Sequence, residues 1–325
     1  MSLQKIFLFC TERSGSNLIT KLMNAHTQIC GPSTKHILNP TFRNLHRYTP
    51  IDDINNWYSF IDDLLNLFYV DFSSWHVTLT KKELIEKIKP GNVSELFHYI
   101  FDKESKAHSK SICFIKEIKT YEIAPQINYY LPESKYLYLV RDPRDMALSW
   151  KKSTIHKGSI ITAAKQWKID QQQYLKHFHL ESMKKNILLL HYEHLISESK
   201  KELNRVFSFI GVENENVHLS FHKDAKTMEN AKKNDAWKNI SKGLLKGNKE
   251  KYLKELSSKE ISIIEFICRD EMNYFSYKLK SSEQDLNKIK TKEIDELQRL
   301  ERTLPYTPPP GVANNMKAKA RFYQK

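Results

Sequence analysis

The chain is predicted to be an α/β protein of three layers, a central parallel sheet flanked by helices on both faces. Three observations carry this. The runs Ile6–Cys10, Ser111–Lys116, Tyr136–Val140 and Ile187–His191 are short and apolar, as strands buried on both faces are. The stretches between them repeat apolar residues at helical spacing, as in Trp57, Phe60, Leu64, Leu65 and Phe68. The chain has 325 residues with 40% hydrophobic composition, enough for one large core or two modest ones.

The first unit opens with Ile6–Cys10 as a strand. Thr11-Glu-Arg-Ser-Gly-Ser-Asn17 makes a polar turn, and Leu18–Asn24 begins a helix. Gly15 lets backbone approach a ligand, Ser14, Ser16 and Asn17 offer short polar groups, and Arg13 adds a planar cation. The first amides of a helix have no partner within it and attract anions, so this is a P-loop-like phosphate cradle. It departs from the magnesium–triphosphate loop, which needs a Gly-Lys-Ser/Thr ending that the turn lacks. A smaller phosphate group is favoured.

Gln28–Cys30 reads as a second short strand leading to Gly31-Pro-Ser-Thr-Lys-His36, and residues 40–110 read as helical packing. After Val140 come Arg141-Asp-Pro-Arg-Asp145, with Asp142 as helix N-cap, Pro143 in the first turn and a helix through Trp150. Ala164, Trp167, Gln171, Leu175 and Phe178 mark another helix. Leu203, Val206, Phe207 and Ile210 mark one opened by a Ser199–Glu202 capping box and closed at Gly211. Beyond residue 280, Leu286, Ile289, Leu297, Leu300 and Leu304 predict one amphipathic helix stopped by Pro305, then a Pro-rich basic tail. That helix packs on the core, with a homodimer contact as the alternative.

In a parallel sheet ligands bind at the carboxyl ends of the strands. The turn after Cys10, residues 31–36, Lys116-Glu117, Arg141 onward and His191-Tyr192 all follow strand ends and should converge. Arg141 leaves its strand, and Ser149 lies about two helical turns on along the same side. That is a second anion site, suited to a nucleoside carrying phosphates at both ends.

The net charge of +14 points to anionic partners, but the basic residues are scattered, so no nucleic acid is expected. No run is long enough to span a bilayer, and the first apolar run meets a charged turn at once, so a cytoplasmic protein is expected. The four cysteines, Cys10, Cys30, Cys113 and Cys268, lack paired spacing and read as buried thiols. No metal-ligand spacing is evident.

These motifs together resemble the sulfotransferase family, closest to its bacterial and carbohydrate branches. The opening turn resembles the family's 5′-phosphosulfate loop, Val140–Ser149 its 3′-phosphate motif, and His191-Tyr-Glu-His-Leu195 its Tyr-Glu-Asp-Leu element. Glu265–Tyr277 resembles the closing helix and turn. The match runs in patches over roughly residues 4–280, so 1–280 is expected to be the sulfotransferase domain, with 281–325 the C-terminal helix and tail.

The resemblance implies 3′-phosphoadenosine 5′-phosphosulfate (PAPS) as donor, 3′-phosphoadenosine 5′-phosphate (PAP) as product, and no metal. It places Arg13, Ser14, Gly15, Ser16, Asn17 and Leu18 around the 5′ group, Arg141 and Ser149 on the 3′-phosphate, and Tyr192 near the adenine. Trp237, Lys242 and Lys246 lie where the family keeps a segment over the nucleotide. Arg13 stands where cytosolic members carry Lys, Leu18 where a Trp is common, and the His that follows the strand Lys is missing at Ile115-Lys-Glu-Ile118.

In-line sulfuryl transfer needs positioning, charge stabilisation and a base. Arg13 would bind the leaving phosphate and Lys116 the sulfuryl oxygens. His36 is the first candidate for base and Glu117 the second. The acceptor is a hydroxyl or amine on a small molecule, carbohydrate, lipid or peptide. A small-molecule or nucleotide kinase, and a non-catalytic basic nucleotide- or nucleic-acid-binding protein, are the competing readings.

Overall fold

The computed structural model describes residues 3–70, 73–219, 221, 244–245 and 247–324. Five strands form one parallel sheet in the order β2-β3-β1-β4-β5. They are β1 (Gln4–Phe9), β2 (Ile29–Cys30), β3 (Ile112–Ile115), β4 (Lys135–Val140) and β5 (Ile187–His191). Alternate residues of each strand enter different cores. Phe7, Phe9, Ile115, Tyr136 and Tyr138 face one, and Ile6, Leu8, Phe114, Leu137 and Leu139 the other. Burial on both faces is why these strands read as unbroken apolar runs.

Helices α1 (Ser16–Asn24), α10 (Tyr192–Ser197) and α11 (Ser199–Ile210) carry the second core. The first core is wider. It takes in α2 (Leu38–Asn44), α3 (Ile54–Phe68), α4 (Lys81–Lys87), α5 (Val93–Ala107), α6 (Ala124–Tyr130), α7 (Pro143–Lys151), α8 (Ile160–Phe178) and α9 (Glu181–Lys184). It continues through α12 (Tyr252–Glu255), α13 (Ser258–Tyr274) and, C-terminally, α15 (Thr291–Thr303) and α16 (Pro310–Gln324), with α14 (Glu283–Lys288) beside α13. Asp142 caps α7 through the amide of Arg144 at 2.9 Å, with Pro143 in its first turn. Gly211 ends α11 in a left-handed conformation. The four cysteines are buried free thiols, and no described helix is long and apolar enough to cross a membrane.

Three expectations are corrected. Ser199 does not cap α11: Glu198 holds the N-cap position without a side-chain cap, and Glu202 pairs with Arg205 at 2.6 Å. Only Glu198 separates α10 from α11, which leaves Ser199 inside the helix. The single helix over 286–304 is two helices. Ser282 caps the first, and extended backbone at Ile289 and Lys290 re-aims the chain so that Leu286 and Ile294 are both buried. Leu300 and Leu304 stay exposed.

The basic tail is also a helix, α16, lying against α2 and α3. Its Ala318 and Phe322 are buried, Phe322 sitting 6.1 Å from the ring of Tyr48. Three prolines in a row hid this, because the helix starts at the last of them, where a missing N–H costs nothing. The C-terminal segment is fastened elsewhere too: Glu301 accepts the amides of Ser159, Ile161 and Thr162 at 3.0–3.1 Å, capping α8 from outside.

Candidate active site

All five strands run parallel, so their carboxyl ends share one edge. The loop Cys10–Gly15 leaves β1 there and turns through left-handed conformations at Arg13 (φ +67°) and Gly15 (φ +93°) into α1. It is held from below by α8: Tyr174 donates to the Cys10 carbonyl at 3.2 Å and Gln171 to Thr11 Oγ1 at 2.8 Å. Gly15 lies against the ring of Tyr192, and a Cβ there would sit 2.3 Å from Tyr192 Cδ2.

The two anion motifs meet at Arg13. Its Nε donates to Ser149 Oγ at 3.2 Å, and its carbonyl accepts from Arg141 Nη1 at 2.9 Å. The Arg141 guanidinium lies 4.5 Å above the Tyr192 ring centre and donates to the Asn248 carbonyl at 3.3 Å. Asn248 Nδ2 in turn donates to Tyr192 Oη at 2.6 Å. Burial, then the neighbouring charge of Arg141, lower the pKa of Arg13.

Ser14 Oγ and Arg141 Nε are buried with no hydrogen-bond partner among the described residues. Buried polar atoms are rarely left so. Ser14 stands on the loop beside Gly15, whose backbone has no room for a side chain, and Arg141 reaches the same loop through the Arg13 carbonyl. Ser16 starts α1 and is buried. Asn17 Oδ1 accepts from Lys116 Nζ at 2.6 Å. Leu18 packs on the apolar layer that also holds Tyr192.

A charge network sets the far wall. Arg144 bonds both Asp142 oxygens and Glu265 Oε1, the latter at 2.5 Å. Asp145 accepts the amides of Glu250 and Tyr252, which fixes the segment carrying Asn248. Glu193 accepts from the Asp142 amide at 3.0 Å and from Tyr277 Oη at 2.9 Å, tying the Tyr192 turn to the end of α13.

On the β2–β3 side, His36 Nδ1 lies 2.9 Å from Glu117 Oε1. Both are buried, and His36 adopts φ +53°. The amide of Leu38 donates to Glu117 Oε2 at 3.0 Å, and that of Ile118 to Oε1 at 3.0 Å. Burial pushes the Glu117 carboxyl up, but the His36 hydrogen bond and charge, Lys319 and the Ile118 amide outweigh it and hold it below the usual range. An ionised Glu117 favours the Nδ1–H tautomer of His36. Burial lowers the pKa of His36, opposed by Glu117 and assisted by Lys319 and Lys116. Burial also lowers the pKa of Lys116.

His36, Lys116 and Glu117 thus share one side of the loop, and Arg13, Arg141, Ser149 and Tyr192 the other. Trp237, Lys242 and Lys246 lie outside the described residues. Two neighbours were not foreseen. Asn248 touches Tyr192, in a stretch where the sequence points only to Trp237, Lys242 and Lys246. Lys319, half-buried on α16, places its charge close enough to act on Glu117 and His36. Its signal in the sequence was a helical face, Asn315, Ala318, Lys319 and Phe322, inside a stretch read as a solvated tail.

Asp170 on α8 lies under the loop and accepts from Gln166 at 2.6 Å and Tyr121 at 3.2 Å. Burial pushes its carboxyl from 3.8 up to about 7. The folded chain therefore holds a proton that the unfolded chain releases near pH 4. That contribution is full below about pH 4 and is lost as the pH rises to about 7. Asp170→Asn should remove this loss. Its Tm should exceed that of the unsubstituted protein by several degrees at pH 8 and show no such gain at pH 4.5, as read by thermal unfolding at both values. An equal shift at the two pH values would refute it.

The family model described as "Sulfotransferase family" matches residues 5–216. The chain belongs to the sulfotransferase family. Solved structures similar to this sulfotransferase include the sulfotransferase domain from the curacin biosynthetic pathway, at 15% identity over 95% of this chain and 99% of that one, TM-score 0.48. The sulfotransferase domain of the Synechococcus PCC 7002 olefin synthase is also 15% identical, over 99% and 94% of the two chains, TM-score 0.46. A mouse sulfotransferase solved in complex with PAP is 12% identical, over 91% and 89%, TM-score 0.45. No curated protein sequence matches the chain.

Proposed function

We propose that this sulfotransferase uses PAPS as its donor and transfers the sulfuryl group to a hydroxyl or amine of its acceptor, without a metal, in the cytoplasm. The observation that carries this is a pair of buried donors with no partner among the described residues, Ser14 Oγ on the glycine-built loop and Arg141 Nε just after β4, whose guanidinium reaches that loop at the Arg13 carbonyl. Arg13, Ser14, Gly15, Ser16 and Asn17 take the 5′-phosphate, with Leu18 behind them. Arg141 and Ser149 take the 3′-phosphate, and Tyr192, held flat under Arg141, takes the adenine side. Trp237, Lys242 and Lys246 are assigned to the nucleotide on resemblance alone.

The acceptor binds beside His36, under α16. Its oxygen or nitrogen attacks sulfur as the bond from sulfur to the phosphate oxygen breaks. The acceptor proton passes to His36 Nε2, and the leaving phosphate keeps the electron pair, yielding PAP and the sulfated acceptor. Glu117 orients and balances the imidazolium, as the carboxylate does in other His–carboxylate pairs. Arg13 and Lys116 stabilise charge developing on phosphate and sulfuryl oxygens. A kinase reading lacks the lysine and hydroxyl that hold a magnesium triphosphate.

Thermal shift separates the two. PAP should raise Tm by several degrees without magnesium, and ATP with magnesium should raise it far less. Stabilisation by ATP with magnesium alone would overturn the proposal.

A further inference from the structure

Away from the loop edge, His76, Glu104 and His108 bring three ligand atoms within 4.8 Å of one another, the one such group among the described residues. Glu104 lies on α5, and His108 caps the same helix four residues on. His76 comes from the chain between α3 and α4. His108 Nε2 is 3.2 Å and His76 Nδ1 3.6 Å from the same oxygen, Glu104 Oε1. A tetrahedral ion with bonds of about 2.0–2.1 Å places its ligands about 3.3–3.4 Å apart. Both measured edges fall within a few tenths of an ångström of that.

The carboxylate is preset. Glu104 is 1% exposed, and its oxygens accept the amides of His76 and Val77 at 3.0–3.1 Å, so it cannot swing away. The two imidazoles stand nearly perpendicular, 80° apart with ring centres at 4.0 Å, which turns their nitrogens toward the shared oxygen instead of stacking them. The His76 side is open to solvent, leaving room for a fourth ligand from water.

We propose that His76, Glu104 and His108 form a binding site for a divalent transition metal, Zn²⁺ foremost. Two imidazoles and one carboxylate suit zinc and its neighbours and do not suit Mg²⁺ or Ca²⁺, which prefer oxygen donors. The ion clamps the 73–77 segment to α5. That segment holds the approach to His36: Ser73 Oγ donates to the Thr34 carbonyl at 2.6 Å, Trp75 Nε1 to the Ser33 carbonyl at 2.7 Å, and Lys35 Nζ to the Ser73 carbonyl at 2.5 Å. The metal is structural and braces the turn that ends in His36, whatever the transferred group.

The full-length protein, stripped with chelator and desalted, is titrated with Zn²⁺ against a chromophoric competitor, and its Tm is read with and without the ion. One equivalent should bind and raise Tm by several degrees. His76→Gln and His108→Gln, checked for folding by circular dichroism, should each bind at least about 10-fold more weakly. Absence of stoichiometric binding, or binding as tight in both variants as in the unsubstituted protein, overturns the site. Cobalt loading of the unsubstituted protein gives a reading independent of variant folding. Strong visible d–d absorption of a tetrahedral ion supports the site, and a weak octahedral spectrum or none overturns it.

Discussion

Replacing His36 by Ala is expected to slow sulfuryl transfer by about 10²–10⁴-fold while PAP still binds as before. The expectation rests on position. His36 shares the β2–β3 side of the loop with Lys116, and Glu117 holds its Nδ1 at 2.9 Å, which orients the ring and favours its taking a proton. The base must be neutral to act. Burial lowers the pKa of His36, so the acid limb of kcat/KM should fall below the ordinary histidine value of about 6.5. Glu117→Gln keeps the shape but removes the anion that raises His36. It should slow transfer and move that limb to lower pH. PAP release with a panel of alcohols and amines, followed from pH 5 to 9, checks both variants. If His36→Ala keeps its rate and Glu117→Gln abolishes it, Glu117 is the base and the roles are reversed.

The sheet was legible because its strands are buried on both faces. Ile6–Cys10, Tyr136–Val140 and Ile187–Leu190 show only apolar or aromatic residues, and the rule of strand carboxyl ends then gathered Arg13, Lys116, Glu117, Arg141 and Tyr192 at one edge. What escaped was long-range partnership. His36 and Glu117 were rival bases in the sequence, 81 residues apart, and are one hydrogen-bonded pair in space. Lys319 was invisible because Pro308, Pro309 and Pro310 read as an end to order, when the last of them starts a helix. The His76–Glu104–His108 group has no motif spacing because one ligand comes from another segment. The Ser199 cap failed for the converse reason: a local signal was overruled by a helix that begins one residue too early.

Gly15→Ala should damage both the phosphate loop and the stability of the fold. A Cβ at this position meets Tyr192 Cδ2 at 2.3 Å and Cε2 at 2.5 Å, and the backbone φ of +93° disfavours any side chain. The ring cannot step aside easily. Arg141 lies over it at 4.5 Å, and its hydroxyl is held by Asn248 at 2.6 Å. The loop must move instead, which displaces Ser14 and takes the Arg13 carbonyl away from Arg141. The expected result is a loss of PAP affinity of at least about 10²-fold and a fall in Tm of several degrees, beyond the about 1–2 kcal/mol that a left-handed conformation costs alanine. Tyr192→Ala provides the control. It removes the obstacle, so adding Gly15→Ala in that background should cost only the backbone term. The coupling energy should then be about 1–3 kcal/mol, measured by denaturant unfolding and by calorimetric titration with PAP. Equal costs in the two backgrounds would mean that the ring does not set the loop, and that Tyr192 serves the nucleotide side without shaping the phosphate cradle.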